Sequence, residues 1–283
     1  PISVPQATFP IEVASEARGN QPHSDINVSQ AASSEAAGAI NFVRAIRNLL
    51  VTDVYVLESA LSFTGSGSGF SLEFDLQVQT LIQQPNQFQS SIQFVGPDGA
   101  VNRQYVLTSD GQQVWIYDAD QNVYSTISYS EFDANYSDSF LIGLFRLVLF
   151  DLSDELSENR GLLEILISLS EEVLQEQDVV SGIETSLDIA NSTIGTEIVD
   201  GIPYTTFAYL DPQSAVTMTL FIDPITALIE RIHVTRQSGG MTLVVEEDVI
   251  HKAPPVSLAS DAFVFLPPDD AQLSDTLVRI RPF

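Results

Sequence analysis

Leu72, Phe74, Leu76 and Val78 alternate without a break with Glu73, Asp75, Gln77 and Gln79. Successive side chains of a strand point to opposite faces, so this run commits to a half-buried strand with one apolar and one wetted side. Phe88, Ser90, Ile92 and Phe94 keep the same period, and Tyr204 to Tyr209, Val216 to Ile222, Leu228 to Val234 and Met241 to Val249 read as further strands. Turn chemistry separates them: Gly65 to Gly69 (GSGSG), Pro97-Asp98-Gly99, Asp110-Gly111, Asp200-Gly201, Asp211-Pro212, Asp223-Pro224 and Gly239-Gly240. Short strands joined in this way predict an antiparallel meander.

Helical spacing is confined to two places. Ile40, Phe42, Val43, Ile46, Leu49 and Leu50 follow Ser33, Ser34 and Glu35, which predicts an amphipathic helix over 39–50 with Arg44 and Arg47 on its wet side. A helical insertion is expected at about 137–176. There Ser137 to Leu152 is apolar almost all round, and Leu162 to Leu174 carries one broad apolar stripe. A helix apolar on every side must be buried or must cover something apolar. Residues 1–32, rich in Pro, Ser, Asn, Gln and Ala, read as a leader or linker, and 33–283 as a single domain.

Charge and composition exclude several classes of function. The chain has 38 acidic and 11 basic residues, a formal net charge of -27, and Lys252 is its only lysine. Nucleic acid and anionic membranes are bound by Lys and Arg that neutralise negative charge, so neither is an expected partner. With no cysteine, disulfides, thiolate metal sites and cysteine nucleophiles are ruled out. The longest apolar run, Phe140 to Phe150, is broken by Gly143 and Arg146 and falls short of the roughly 20 residues of a spanning helix. Pro1 in place of Met fits a signal peptide already removed, which leaves export to the periplasm or to the outside of the cell open.

Motifs for catalysis are missing. His23, His233 and His251 form no HExxH pair and have no metal-ligand spacing. GSGSG satisfies neither G-x-S-x-G nor G-x-G-x-x-G and reads as a hairpin loop. Asp118, Asp120 and Asn122 open like a calcium loop, but its sixth and twelfth positions, which need Gly and Glu, are Val123 and Tyr129. The pairs Glu171-Glu172, Glu246-Glu247 and Asp269-Asp270 distinguish nothing in so acidic a chain. No cofactor, metal site or catalytic residue is expected.

What remains is an apolar sheet face. If Leu72, Phe74, Leu76, Val78, Ile92, Phe94, Met218, Leu220 and either Trp115 or its neighbours Val114 and Ile116 share one side, the segments at 39–50, 137–152 and 162–174 are its covers. That side is then either a plain sheet-on-helix core or a cavity for an apolar ligand.

Three short motifs carry a resemblance. Residues 110–124, DGQQVWIYDADQNVY, resemble the "D-G-k-x-[LV]-W-x-Y-D" hairpin of the LolA/LolB-like lipoprotein-carrier superfamily. Residues 263–271, FVFLPPDDA, resemble its closing "F-x-F-x-x-P-x-x-A" element, and Gln84-Pro85-Asn86-Gln87-Phe88-Gln89 its "r-P-x-x-[FL]-R". The order of elements agrees over roughly residues 38 to 275. The resemblance implies an α+β fold: a strongly curved antiparallel sheet, an unclosed half-barrel, with helices covering the concave face and a cavity suited to acyl chains. It also implies an extracytoplasmic address in bacteria. The arginine that ends the last motif, linked in the carrier to closing the lid, is Gln89 here, and a neutral amide cannot supply the same charged hydrogen bonds.

The expected function is that of a non-enzymatic binding or carrier protein for a lipid, acyl chain or lipoprotein-like apolar ligand, with an envelope protein as a possible partner. Leu72, Phe74, Leu76, Phe94, Trp115, Phe145 and Leu149 are the candidate ligand-facing residues. The alternative is a protein-interaction or envelope-sensing module built on the same scaffold with a closed core.

Overall fold

The computed structural model describes residues 31–83, 86–96, 98–136, 139–146, 148–149, 191–211, 215–255 and 257–282, with side chains from residue 37 onward. The expected leader lies almost wholly outside these residues, as do 151–190 with the expected stripe at Leu162 to Leu174.

Helix α1 (Ala31–Val51) is followed by strands β1 (Val54–Gly67), β2 (Phe70–Gln83), β3 (Gln87–Val95), β4 (Val101–Asp110), β5 (Gln113–Asp118) and β6 (Val123–Ser128). A short helix α2 (Tyr129–Tyr136) and a 3-10 turn (Phe140–Ile142) come next. The sheet is completed by β7 (Ser192–Val199), β8 (Ile202–Asp211), β9 (Val216–Ile222), β10 (Ile229–Ser238), β11 (Met241–Lys252) and β12 (Gln272–Leu273). All twelve strands form one sheet in the order β12-β6-β5-β4-β3-β2-β1-β11-β10-β9-β8-β7. It does not close on itself. The fold is the expected α+β class, an unclosed half-barrel that is antiparallel except where β12 runs parallel to β6.

The alternation read from the sequence sets the faces. Leu76, Val78, Phe88, Ser90, Ile92 and Phe94 are buried on the side that carries the helices, called here the inner face, while Asp75, Gln77 and Gln79 are exposed. Ser90, the one polar residue in that series, is satisfied by Thr80 on the next strand, with hydroxyl oxygens 3.1 Å apart. The GSGSG segment narrows to a two-residue loop, because Gly67 pairs with Phe70 and only Ser68 and Gly69 turn the chain.

Helix α1 packs against β7, β8 and β9, with Phe42 stacked on Phe207 at 4.1 Å between ring centres. It starts at Ala31, ahead of the serines expected to cap it. Arg44 and Arg47 are half-buried, not wet as expected, because Asn41, Phe42, Val43, Ala45, Ile46 and Leu49 bury far more than one stripe of the helix. Asn41 donates to Thr205 Oγ1 (3.1 Å) and to the Asp223 carbonyl (3.3 Å), which fixes the helix on the sheet.

Helix α2 was not anticipated, although its signal stands in the sequence. Ser128 Oγ accepts from the Glu131 N–H (3.2 Å) and Glu131 Oε2 accepts from the Ser128 N–H (3.1 Å), a reciprocal capping box. The helix expected over 137–152 is interrupted: the 3-10 turn ends at Gly143, whose φ of 98° is open to glycine and strained for other residues.

The closing segment crosses the outer face from β1 and β2 to the β6 edge and then passes to the inner face. Phe263 packs with Val56 and Leu81 on the outer face, and β12 runs beside β6. Val278 and Ile280 then enter the inner core. The Val278 N–H donates to Ser125 Oγ at 2.9 Å.

Ile92 is fully buried in the inner core. Ile92→Ala should lower stability by about 3 kcal/mol, read as a drop in the urea midpoint at unchanged slope.

Candidate functional site

Register places one row of side chains across the inner face: Phe94, Leu76, Leu61, Glu247, Ile232, Leu220 and Phe207, on seven neighbouring strands. All seven are buried, and Glu247 is the one charged residue among them. The next row, Phe74, Phe63, Val245, Val234, Met218 and Tyr209, is apolar throughout. Its Phe74, Met218 and Tyr209 are only half-buried, as are Leu72, Leu243 and Val216 one step further out. The core therefore stays open at this end of the sheet.

Residues 139–146 and 148–149 lie over the inner face. Phe140 approaches Phe63 at 6.2 Å between ring centres, and Phe145 meets Tyr55 at 5.8 Å and His251 at 5.3 Å, both edge to face. Glu247 ties this segment down. It accepts the Phe145 N–H at 2.8 Å and is also hydrogen-bonded by the Leu144 backbone and the Ser59 side chain. The positive φ of Gly143 turns successive amides toward the carboxylate, and a β-carbon there would stand 3.5 Å from Glu247 Oε1. Burial pushes the Glu247 carboxyl above the usual carboxylate range, against the pull of those three hydrogen bonds.

Two basic side chains are also drawn out of water, one half-buried beside the segment and one buried within it. His251 is held below its ordinary pKa by burial, with Nε2 2.7 Å from the Ile229 carbonyl, so the neutral ring donates there. Arg146 is buried, its guanidinium 3.6 Å from the centre of the Phe88 ring and 5.0 Å from that of Phe132. Burial lowers it to about 10, opposed by Tyr129, which hydrogen-bonds it, and by the charge of Asp133.

The structure brings six of the seven candidate residues to one side. Leu76, Phe94, Phe145 and Leu149 are buried in a common core, and Leu72 and Phe74 stand at its half-open end. Trp115 is not with them. Val114 and Ile116 point inward, so the pleat turns Trp115 to the outer face, where it stacks on Phe265 at 6.2 Å with 18° between the rings. Gln89 likewise lies between the inward Phe88 and Ser90 and so faces outward. Sequence reasoning passed over Glu247 as one of many paired acids. Its place between Val245 and Val249 in a strand of period two is the signal that would have found it.

The acidic loop at Asp118 is structural. Asp118 Oδ1 accepts the N–H groups of Asp120 and Gln121, and Asp120 Oδ2 accepts the Gln104 N–H. Among the described residues no group of three His, Asp or Glu side chains is placed to hold a metal ion, and no helix is long and apolar enough to cross a membrane. Two clefts of about 320 Å³ and 470 Å³ open on the outer face, one beside Asp75, Glu246 and Asp248 and the other beneath Pro255 and Phe263.

No family model matches the chain, and no curated protein does. Solved structures to which the chain shows some similarity include a DUF1329 family protein from Desulfovibrio piger, with 16% identity, TM-score 0.32, and coverage of 81% of this chain and 97% of that one. A LolA superfamily protein from Nitrosomonas europaea has 10% identity and TM-score 0.27, covering 77% and 94%. LprF from Mycobacterium bovis has 13% identity and TM-score 0.36, covering 84% and 97%. One of the three carries the name of the superfamily whose motifs the sequence resembles. At TM-scores this low the likenesses carry no weight for function, which has to be read from this chain's own residues.

Because its folded pKa is raised, Glu247 contributes stability that is fully present below the ordinary carboxylate pKa and is lost as pH rises through the folded value. Glu247→Gln keeps an oxygen to accept the Phe145 N–H and cannot ionise. Thermal melts between about pH 4 and about pH 9 should show the alkaline decline of the native protein flattened in this variant. His251 acts with the opposite sign: its depressed pKa gives stability that is present above the ordinary histidine pKa and lost on acidification, in both proteins.

Proposed function

We propose that the chain is a non-enzymatic, extracytoplasmic binding protein that holds a lipid or another long apolar molecule between the inner face of its sheet and the segment 139–149. One observation carries this reading. The apolar inner face does not end where the core ends but continues through Leu72, Phe74, Val216, Met218 and Leu243 as half-buried surface. An acyl chain laid along such a surface removes it from water at about 0.8 kcal/mol per buried methylene. The cover is held by hydrogen bonds to the Glu247 carboxylate, by the hydrogen bond between Arg146 and Tyr129 and by ring contacts that can re-form around an inserted chain. The extracytoplasmic address rests on the motif resemblance alone.

A second reading, a protein-interaction or envelope-sensing module with a closed core, is favoured by the burial of Leu76, Phe94, Phe145 and Leu149 in direct packing.

Native purification followed by organic extraction and mass spectrometry separates the two. The binding reading expects a co-purifying lipid and saturable binding of a fluorescent fatty acid, weakened about tenfold by Leu72→Gln, which puts an amide on the half-buried rim. Extraction of nothing, together with no fatty-acid binding, would leave the interaction module.

A further inference from the structure

Two apolar strips run from the core out into solvent at the open end of the sheet. On β2, the inward positions Leu76, Phe74, Leu72 and Phe70 go from 1% exposed at Leu76 to 49% at Phe70. On β11, Val245, Leu243 and Met241 go from 0% at Val245 to 47% at Met241. Both strips end at hairpin tips turned by glycine. Gly69, Gly239 and Gly240 have φ of 83°, 59° and 79°, and nothing stands within 4 Å of where their β-carbons would be. The two tips are side by side, since the β-carbon position of Gly67 is 3.8 Å from Met241 Cα and Cβ.

Charge is missing from these tips in a chain that is rich in it. No Asp, Glu, Lys or Arg occurs between Glu58 and Glu73 or between Arg236 and Glu246. The acids nearest to the tips at this end of the sheet, Glu73, Asp98 and Asp211, flank them.

We infer that the paired tips, with Phe70 and Met241 as their apolar ends, dock on the uncharged surface of a zwitterionic lipid bilayer, so that the open end of the inner face meets the membrane. The inference rests on the proposed binding of an apolar ligand, which would enter and leave there. A specific protein partner needs roughly 800 Å² of matched surface on each side, more than two protruding side chains on glycine turns supply. A bilayer needs no matched surface. It accepts an aromatic ring and a thioether among its headgroups, while an anionic surface repels a chain of net charge -27.

The test uses vesicles of phosphatidylcholine alone and of phosphatidylcholine with phosphatidylglycerol. The protein should float with the first, float less with the second, and float at least about tenfold less after Phe70→Ser with Met241→Ser, two exposed positions whose change should leave the melting temperature unaltered. The emission of Phe70→Trp, combined with Trp115→Phe, should shift to the blue when phosphatidylcholine vesicles are added. No flotation and no blue shift would overturn the docking, as would concentration-dependent self-association that the double variant abolishes, since the tips would then pair with a second copy. The lipid extraction fails independently: a protein that floats but yields no lipid keeps the docking and loses the bound ligand, and one that yields lipid but does not float does the reverse.

Discussion

Strand β1 holds the molecule together. It is paired along its length with β2 on one side and along most of it with β11 on the other, both in unbroken antiparallel register. Apart from β12 beside β6, the described strands before residue 130 and those after residue 190 are joined in the sheet through the β1–β11 pairing, so β1 decides which residues of the two halves share a row. A slip of one residue would turn Leu57, Leu61 and Phe63 outward and bring Glu58, Ala60 and Ser62 into the core. The irregularities fall elsewhere, at Phe94/Val95 between β3 and β4 and at Ile229/Arg231 between β9 and β10.

Because that register is fixed, Glu247 stands in a row of apolar side chains with only backbone amides and Ser59 to satisfy it. A buried carboxyl costs free energy unless its hydrogen-bonding capacity is met, so its position and that of the segment 143–145 define each other. Gly143 makes the arrangement possible, since only a residue at ease at positive φ lets the chain leave the 3-10 turn and present the Leu144 and Phe145 amides together. Besides the hydrogen bond between Arg146 and Tyr129, the segment is thus attached at this polar point inside an otherwise apolar contact. Such an attachment can release without dismantling the sheet, whose own hydrogen bonds do not involve it.

Two of the three segments that carried the family resemblance meet in space. Phe265 from 263–271 packs against Trp115, Tyr117 and Tyr124 from 110–124, and Ala271 leads directly into β12 beside β6. Their joint occurrence reflects one aromatic cluster on the outer face that fastens the chain's closing segment to the sheet edge. It is a feature of the scaffold. The ligand-facing role expected of Trp115 placed it on the same side as Leu72, Phe74 and Leu76, and an unbroken apolar run does not say which way a strand residue points.

Local periodicity and turn chemistry determined six of the strands, most of the turns and the inward positions at Leu72 to Val78 and Phe88 to Phe94, because there polar and apolar residues alternate and only one face can be dry. Where neighbours are all apolar, as in Val114, Trp115, Ile116 and Tyr117, the alternation is silent, and only packing against Phe265 and the inner core assigned the faces. The capping box at Ser128 and Glu131 was legible and local, whereas the break at Gly143 depended on Glu247, more than a hundred residues away in the chain. Tertiary structure alone decided that Arg44 and Arg47 are half-buried, that one acid of many lies in the core and that the apolar face is open at one end. Each of these depends on which distant segment covers a given face, and a pattern read along the chain reports a residue's side without reporting what lies opposite it.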